Sequence, residues 1–323
     1  MPHILLTGAG FSKNWGGLVA AEVFSRLLSE NLDGYTRDLL FKHRATGGFE
    51  VVMSVLQGEA KIAPSTVTQK RLDDLTSAVV GIFNGMNNHF LHLNWLEFQN
   101  EVRYMVRAFL ERFDAIFTLN QDGLLEAQYF DGFVGGRWNG VHLPGTRPVG
   151  GQPHIQGMRE QKLAKRMPDL ANVRLEPRMQ PYIKLHGSAN WVIDERSGRL
   201  LILGGQKAAS IAQHSLLTRY HTIFEEYLNR PDGRLMIIGY GFNDEHINEA
   251  IGKAVSNGLK IFIVDIRGID AFDKFDYTAS IPGHPDAYAE KLRPSIFGES
   301  RKSLNLTFGS DHAEHAYLSS FFV

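Results

Sequence analysis

Short apolar runs, each closed by a polar or turn-forming residue, recur along the chain at Ile4 to Thr7, Ala115 to Leu119, Tyr182 to Leu185, Leu235 to Gly239 and Lys260 to Asp265. Runs that are apolar on both faces predict strands of a parallel sheet covered by helices on either side. Leu304 to Phe308 predicts a sixth strand. Between the first two runs the period changes. Ala20, Phe24, Leu27 and Leu28 share one helical face, with Glu22, Arg26, Ser29 and Glu30 on the other. Trp95, Phe98, Val102, Met105, Val106 and Phe109 follow at steps of three and four and predict a second helix.

The expected architecture is therefore α/β, a Rossmann-like doubly wound parallel sheet with a helical insertion. Residues 1–17 together with 113–323 would form the Rossmann-like domain. A crossover as long as 18–112 exceeds what one strand–helix–strand unit needs, so that span is expected to be the helical insertion. From Asp131 to Gln180 the composition turns to Gly, Pro, Arg and Gln, with Gly135-Gly136 and Gly150-Gly151, which predicts an irregular loop insertion over 131–180.

Composition narrows the chemistry. At 323 residues and 43% hydrophobic content the chain can bury a full core. A net charge of -1 gives no electrostatic reason to expect nucleic acid. The chain has no cysteine, which excludes disulfides, iron–sulfur clusters and zinc ribbons. The pairs His89/His92 and His312/His315 have helical spacing suited to a metal, but no supporting carboxylate pattern accompanies them, so no metal is expected. No apolar run approaches the length needed to cross a bilayer, and the N-terminus opens on a strand pattern instead of a basic segment, so the expectation is a soluble cytoplasmic protein without a membrane partner.

Candidate chemistry gathers at the strand ends. Gly8, Ala9, Gly10, Phe11 and Ser12 form a strand-to-helix glycine turn suited to the pyrophosphate of a dinucleotide. A tight turn without a ligand needs the same glycines, Ser12 has the chemistry of a helix cap, and the third glycine of the usual fingerprint is replaced by Lys13. Asn120 and Asp122 follow the second run, where a ligand role and a turn or cap role are both open. His186 ends the third run before Gly187, and Gly239, Tyr240, Gly241, Phe242, Asn243 and Asp244 form a second glycine turn, with Asn243 or Asp244 able to cap the next helix. Asp265 stands where a carboxylate can accept hydrogen bonds from ribose hydroxyls.

In this order, GAGFS, TLNQD, LHGS and GYGFND resemble the motifs of the sirtuin family from Gly8 to about Asp265. The resemblance implies that Gly8, Ala9, Gly10 and Ser12 cradle NAD phosphates, that Asn120 and Asp122 line the nicotinamide-ribose pocket, and that His186 is the catalytic base. Protein-deacylating sirtuins carry a four-cysteine zinc module after the HG pair, whereas Ser188 to Gly233 has no cysteine, and Gly16-Gly17-Leu18 replaces the GIP-x-FR segment. With LHGS-x-NW at Leu185 to Trp191, the chain more closely resembles the sirtuin-like NAD hydrolases of bacterial anti-phage systems.

That resemblance implies an NAD+ glycohydrolase with Asn120 and His186 catalytic, NAD as substrate and no metal. It further implies an NAD-depleting role in abortive infection, switched on by a protein partner such as a translocase-type ATPase or another defence subunit, or by homo-oligomerisation. The alternatives are an NAD-dependent deacylase, an ADP-ribosyltransferase, and a non-catalytic subunit that binds NAD or ADP-ribose. The helical insertion is a candidate contact surface, although apolar stripes ordinarily face a domain's own core.

Overall fold

A computed structural model describes residues 1–93, 95–130, 136–151, 163–194, 198–271 and 291–323. Its strands are β1 (His3–Thr7), β2 (Ala115–Thr118), β3 (Gly140–His142), β4 (Thr146–Pro148), β5 (Arg166–Pro168), β6 (Met179–Lys184), β7 (Gly187–Val192), β8 (Arg199–Leu201), β9 (Arg234–Ile238), β10 (Lys260–Val264) and β11 (Ile296–Ser300). Seven of them form one sheet in the order β11-β10-β9-β1-β2-β6-β3, parallel throughout. This is the Rossmann-like α/β sheet that the apolar runs predict.

The strand order creates the crevice. From β1 the sheet grows through β2 and β6 to β3, and the chain then returns to the other side of β1 to add β9, β10 and β11. Neighbouring connections diverge between β1 and β9, and such switch points leave a cleft beyond the carboxyl ends of the strands. Both strands that frame it are buried: Ile4, Leu5 and Leu6 on β1, and Leu235, Met236 and Ile237 on β9, have no exposed surface.

The span between β1 and β2 is helical, and its buried residues join the same core as the sheet. Its helices are Ala20–Leu27, Gly34–Lys42, Gly48–Ile62 and Thr66–His92. Asp33 caps the second by accepting the Thr36 N–H at 2.8 Å, and Ser65 caps the last by accepting the Thr68 N–H at 3.1 Å. Leu27, Leu40, Val52, Leu56, Leu75, Val79 and Phe90 join the same hydrophobic cluster as β1 and β2. Their apolar faces therefore bury within that cluster, although Ala20, placed on the buried face by its spacing, is exposed. Within 131–180, β4 and β5 join β7 and β8 in a second, four-stranded sheet and β3 extends the main sheet, so the span carries short strands. Residues 131–135 and 152–162 of it lie outside the described residues.

Two expected elements are corrected. The stripe from Trp95 to Phe109 does not form one helix; a single 3-10 turn at Val102–Tyr104 and a short helix at Val106–Leu110 stand there. Glu97 explains the difference. Its buried carboxylate accepts the N–H groups of Val106 and Arg107, so the chain must fold back for Glu97 to cap the short helix, which leaves Trp95 and Val102 exposed. Leu304 to Phe308 belongs to a helix, Leu304–Gly309, because Leu304, Thr307 and Phe308 bury at helical spacing, and the outer strand is β11 instead.

The glycine turns after β1 and β9 press directly on one another. Gly8 donates to the Ile238 carbonyl and Gly10 to the Gly239 carbonyl, each at 2.9 Å. A Cβ on Gly239, whose φ is +64°, would lie 2.4 Å from the Gly10 carbonyl carbon, and one on Gly8 would lie 2.6 Å from the Gly239 oxygen. Gly239→Ala is therefore expected to lower stability by at least about 2 kcal/mol, combining overlap with a strained backbone. Gly58→Ala, at a helical site with open space, is expected to be neutral or mildly stabilising. Thermal melts of the two variants against the native protein check this.

Candidate functional site

The two turns follow β1 and β9 at their carboxyl ends. The N–H groups of Gly8, Gly10 and Phe11 are satisfied by the carbonyls of Ile238, Gly239 and Gly8, so these three donors serve the protein's own backbone. The helix they open, Ala9–Lys13, is a single short turn with Gly8 as N-cap, and Ser12 sits inside it instead of capping it. The Phe11 side chain is buried and packs on Trp15 at 5.1 Å between ring centroids.

Ser12 is the hub that joins the first motif to the second. Its hydroxyl donates to Asp122 Oδ1 at 3.1 Å and accepts from Asn120 Nδ2 at 3.0 Å, and all three side chains are buried. This chain of bonds fixes the Asn120 amide with its oxygen turned from Ser12. Asp122 also accepts the Leu124 N–H at 3.1 Å, so it makes the local turn as well as the long-range contact. Beneath it, the buried Lys184 ammonium donates to the Asp122 carbonyl and to Glu126 Oε1 at 2.8 Å, and Tyr182 donates to the other Glu126 oxygen at 3.1 Å. Burial raises the Asp122 carboxyl above its usual range, against the pull of Lys184. The insertion contributes Asn87, whose side-chain oxygen accepts the Gly123 N–H at 2.7 Å.

His186 lies at the end of the neighbouring strand. The segments are pinned together by Leu185 N–H to the Thr118 carbonyl at 2.9 Å, and by the Ala189 N–H and Ser188 hydroxyl to the Gln121 carbonyl at 3.0 and 3.1 Å. His186 Nε2 stands 3.0 Å from His246 Nε2, in the first turn of the Glu245–Ser256 helix that follows the second glycine turn. The His221 ring is 5.2 Å from that of His246 and its Nε2 donates to the Leu185 carbonyl at 3.1 Å. Burial holds the His186 imidazole well below the ordinary histidine range, with Asp244 opposing; burial lowers His246 likewise and brings His221 down to about 4. All three are neutral near pH 7.

Asp244 occupies the N-cap position but its side chain makes no cap bond. It pairs instead with Lys207 at 2.7 Å, and Lys207 reaches Glu50 of the insertion at 2.7 Å. Burial pushes the Asp244 carboxyl up, and His186 with Lys207 more than offsets it, so the group lies below its usual range. Burial lowers Lys207 while Glu50 and Asp244 raise it further, so it keeps its charge.

The remaining expected site residues take framework positions. The Tyr240 hydroxyl accepts the Asp244 N–H at 3.0 Å and lies 3.0 Å from Asn248 Oδ1, while Asn248 donates to the carbonyl of Phe242, which is buried with φ +53°. Asp265 accepts from the Arg267 backbone at 2.9 Å and its guanidinium at 3.2 Å beside Gly241, so its carboxylate already has a cationic partner. His246, His221, Lys207, Glu50 and Arg267 were not singled out by the motifs. Only the helical start after GYGFND gave a cue to His246, and the rest depend on contacts across the fold. His89 Nε2 donates to the Trp15 carbonyl at 3.0 Å and His312 stacks on Tyr104, and the described residues contain no metal-holding cluster.

Residues 114–264 match the family model of the SIR2-like domain. The chain carries a SIR2-like domain. That match takes in Asn120, Asp122, His186 and Asp244 and leaves the Gly8 turn outside it. Similar solved structures include a Sir2 homologue in complex with ADP-ribose (14% identity, 99% of this chain and 93% of that one, TM-score 0.42). Others are a Sir2 protein bound to a propionylated peptide (12%, 98% and 93%, 0.41) and a Sir2 complex with a p53 peptide and NAD+ (12%, 98% and 94%, 0.37). No curated protein matches the chain. Among the described residues no helix is long and apolar enough to cross a membrane.

The buried histidines make stability depend on pH with a definite sign. His221 stays neutral in the folded protein down to about 4, whereas the unfolded chain takes up that proton below 6.5, so stability present above pH 6.5 is lost as the pH falls towards 4. The loss from this group is expected to be on the order of 1–3 kcal/mol. Equilibrium denaturation at pH 7 and pH 4.5 checks it: His221→Gln, which retains a donor for Leu185, is expected to lose less stability on acidification than the native protein.

Proposed function

We propose that this protein hydrolyses the bond between nicotinamide and ribose in NAD+, releasing nicotinamide and ADP-ribose. The observation that carries the reading is the pinning of Asn120 and His186 to the carboxyl ends of adjacent strands, β2 and β6, beside the cleft between β1 and β9. A dinucleotide is the ligand that suits such a cleft.

The chemistry asks little of the protein. The C–N bond breaks with its electron pair going to the pyridinium nitrogen, so nicotinamide leaves neutral and no general acid is needed. Charge develops on the ribose, water adds at the anomeric carbon, and the proton of that water must be removed. His186, held neutral by burial, has the protonation state of a base near pH 7. The Asn120 amide, fixed through Ser12, orients the water or the ribose hydroxyls. Asp122 holds Ser12 and shapes the turn.

Hydrolysis is favoured over peptide deacylation by what fills the stretch after the HG pair. In place of cysteines, Ser188 to Gly233 supplies β7, β8 and the helices Lys207–Ala212 and Ser215–Leu228. Leu217, Tyr220 and Phe224 of the longer helix are fully buried, so this segment is held by hydrocarbon packing. An enzyme that depletes NAD needs restraint, and in this reading a partner protein or self-assembly of the chain supplies it in an anti-phage setting.

Turnover of a fluorescent NAD analogue, with products identified by mass, tests the proposal. Asn120→Ala and His186→Ala are each expected to lower turnover by on the order of a hundredfold or more. Native turnover that survives both substitutions removes the mechanism. Intact NAD recovered from a stable complex supports a binding subunit instead.

A further inference from the structure

We propose that His246 is the exit for the proton that His186 collects, so that the two imidazoles form a two-step relay from the cleft towards solvent. The inference rests on the hydrolase reading and adds a positioning residue to it. With Nε2 facing Nε2 at 3.0 Å, one nitrogen carries the hydrogen and the other offers a lone pair. His186 is 2% exposed and sealed from solvent, whereas His246, in the first turn of its helix, is part-exposed.

With the hydrogen on His186 Nε2, its Nδ1 is the nitrogen left to accept a proton from water or a ribose hydroxyl. The step then balances: Nδ1 of His186 gains the proton, Nε2 of His186 passes its own to Nε2 of His246, and His246 releases one from Nδ1 to solvent. No oxidant or second reactant is needed. The charged and titratable groups facing the pair are Asp244, Lys207, His221 and Glu249, with Glu50 acting through Lys207. Asp244 favours the transient cation on either ring and the Lys207 ammonium limits how long it stays.

Two measurements test the relay, and one is independent of turnover. Nitrogen NMR of the full chain labelled in histidine reads coupling across the hydrogen bond and the protonation of each ring nitrogen. The expected result is coupling between the two Nε2 atoms with the hydrogen on His186. A hydrogen on His246 Nε2, or no coupling, overturns the proposal.

In turnover assays, His246→Ala is expected to be slower by about tenfold or more, with partial rescue by added imidazole. His246→Gln, which restores a hydrogen bond but does not titrate, is expected to remain slow and to lose the acid limb of the native pH profile. Full recovery in His246→Gln, or unchanged turnover in His246→Ala where His186→Ala is inactive, overturns the relay and leaves hydrolysis standing. A native protein inactive on NAD removes the hydrolase reading, while the NMR result still decides where the proton sits.

Discussion

The contact between Gly239 and the Gly8–Gly10 turn is the constraint from which the site follows. Two backbones meet there with no room for a Cβ, and the donors of one turn are consumed by the carbonyls of the other. That closeness brings the two halves of the sheet together at the switch point. It places Ser12 within reach of Asn120 and Asp122 on one side and, through the turn after β9, places the Glu245–Ser256 helix and His246 against His186 on the other. The glycines serve backbone approach first, and any anion held there meets a turn whose shape the protein has already fixed.

Electrostatics divide the cleft into two unlike sides. Below Asp122 the charges are buried and compensated, with Lys184 and Glu126 paired at 2.8 Å and almost wholly out of water. Such a pair costs desolvation energy and returns it only when every polar atom is satisfied, as the additional bonds to the Asp122 carbonyl and Tyr182 achieve here. Around His186 the groups are neutral imidazoles beside an ion-paired carboxylate, an arrangement that can take up and give away one proton without rebuilding its surroundings. The first side is rigid framework and the second is chemically responsive.

The strand ends were legible because each apolar run stops at a residue that either turns the chain or carries chemistry, as Thr7 before Gly8 and Leu185 before His186 illustrate. Short-range pattern failed where a single polar residue overruled it. Glu97 sits among apolar neighbours at helical spacing, yet its carboxylate turns inward to cap residues further along, and nothing in a periodic pattern reports that choice. The histidine partners were hidden for a different reason. His186 and His246 meet across 60 positions and Lys207 finds Asp244 across 37, distances over which only the folded sheet, and no local spacing, sets proximity.

Residues 202–207 run as a strap along the edge of the site. The Ile202 N–H donates to the His186 carbonyl at 2.9 Å, its carbonyl accepts from Gln121, Gln57 of the insertion donates to the Leu203 carbonyl at 3.1 Å, and Lys207 ends the strap on Glu50. One short segment thus ties both strand-end motifs to the helices that follow β1. Loosening the helices therefore also breaks contacts that hold the neighbours of Asn120 and His186.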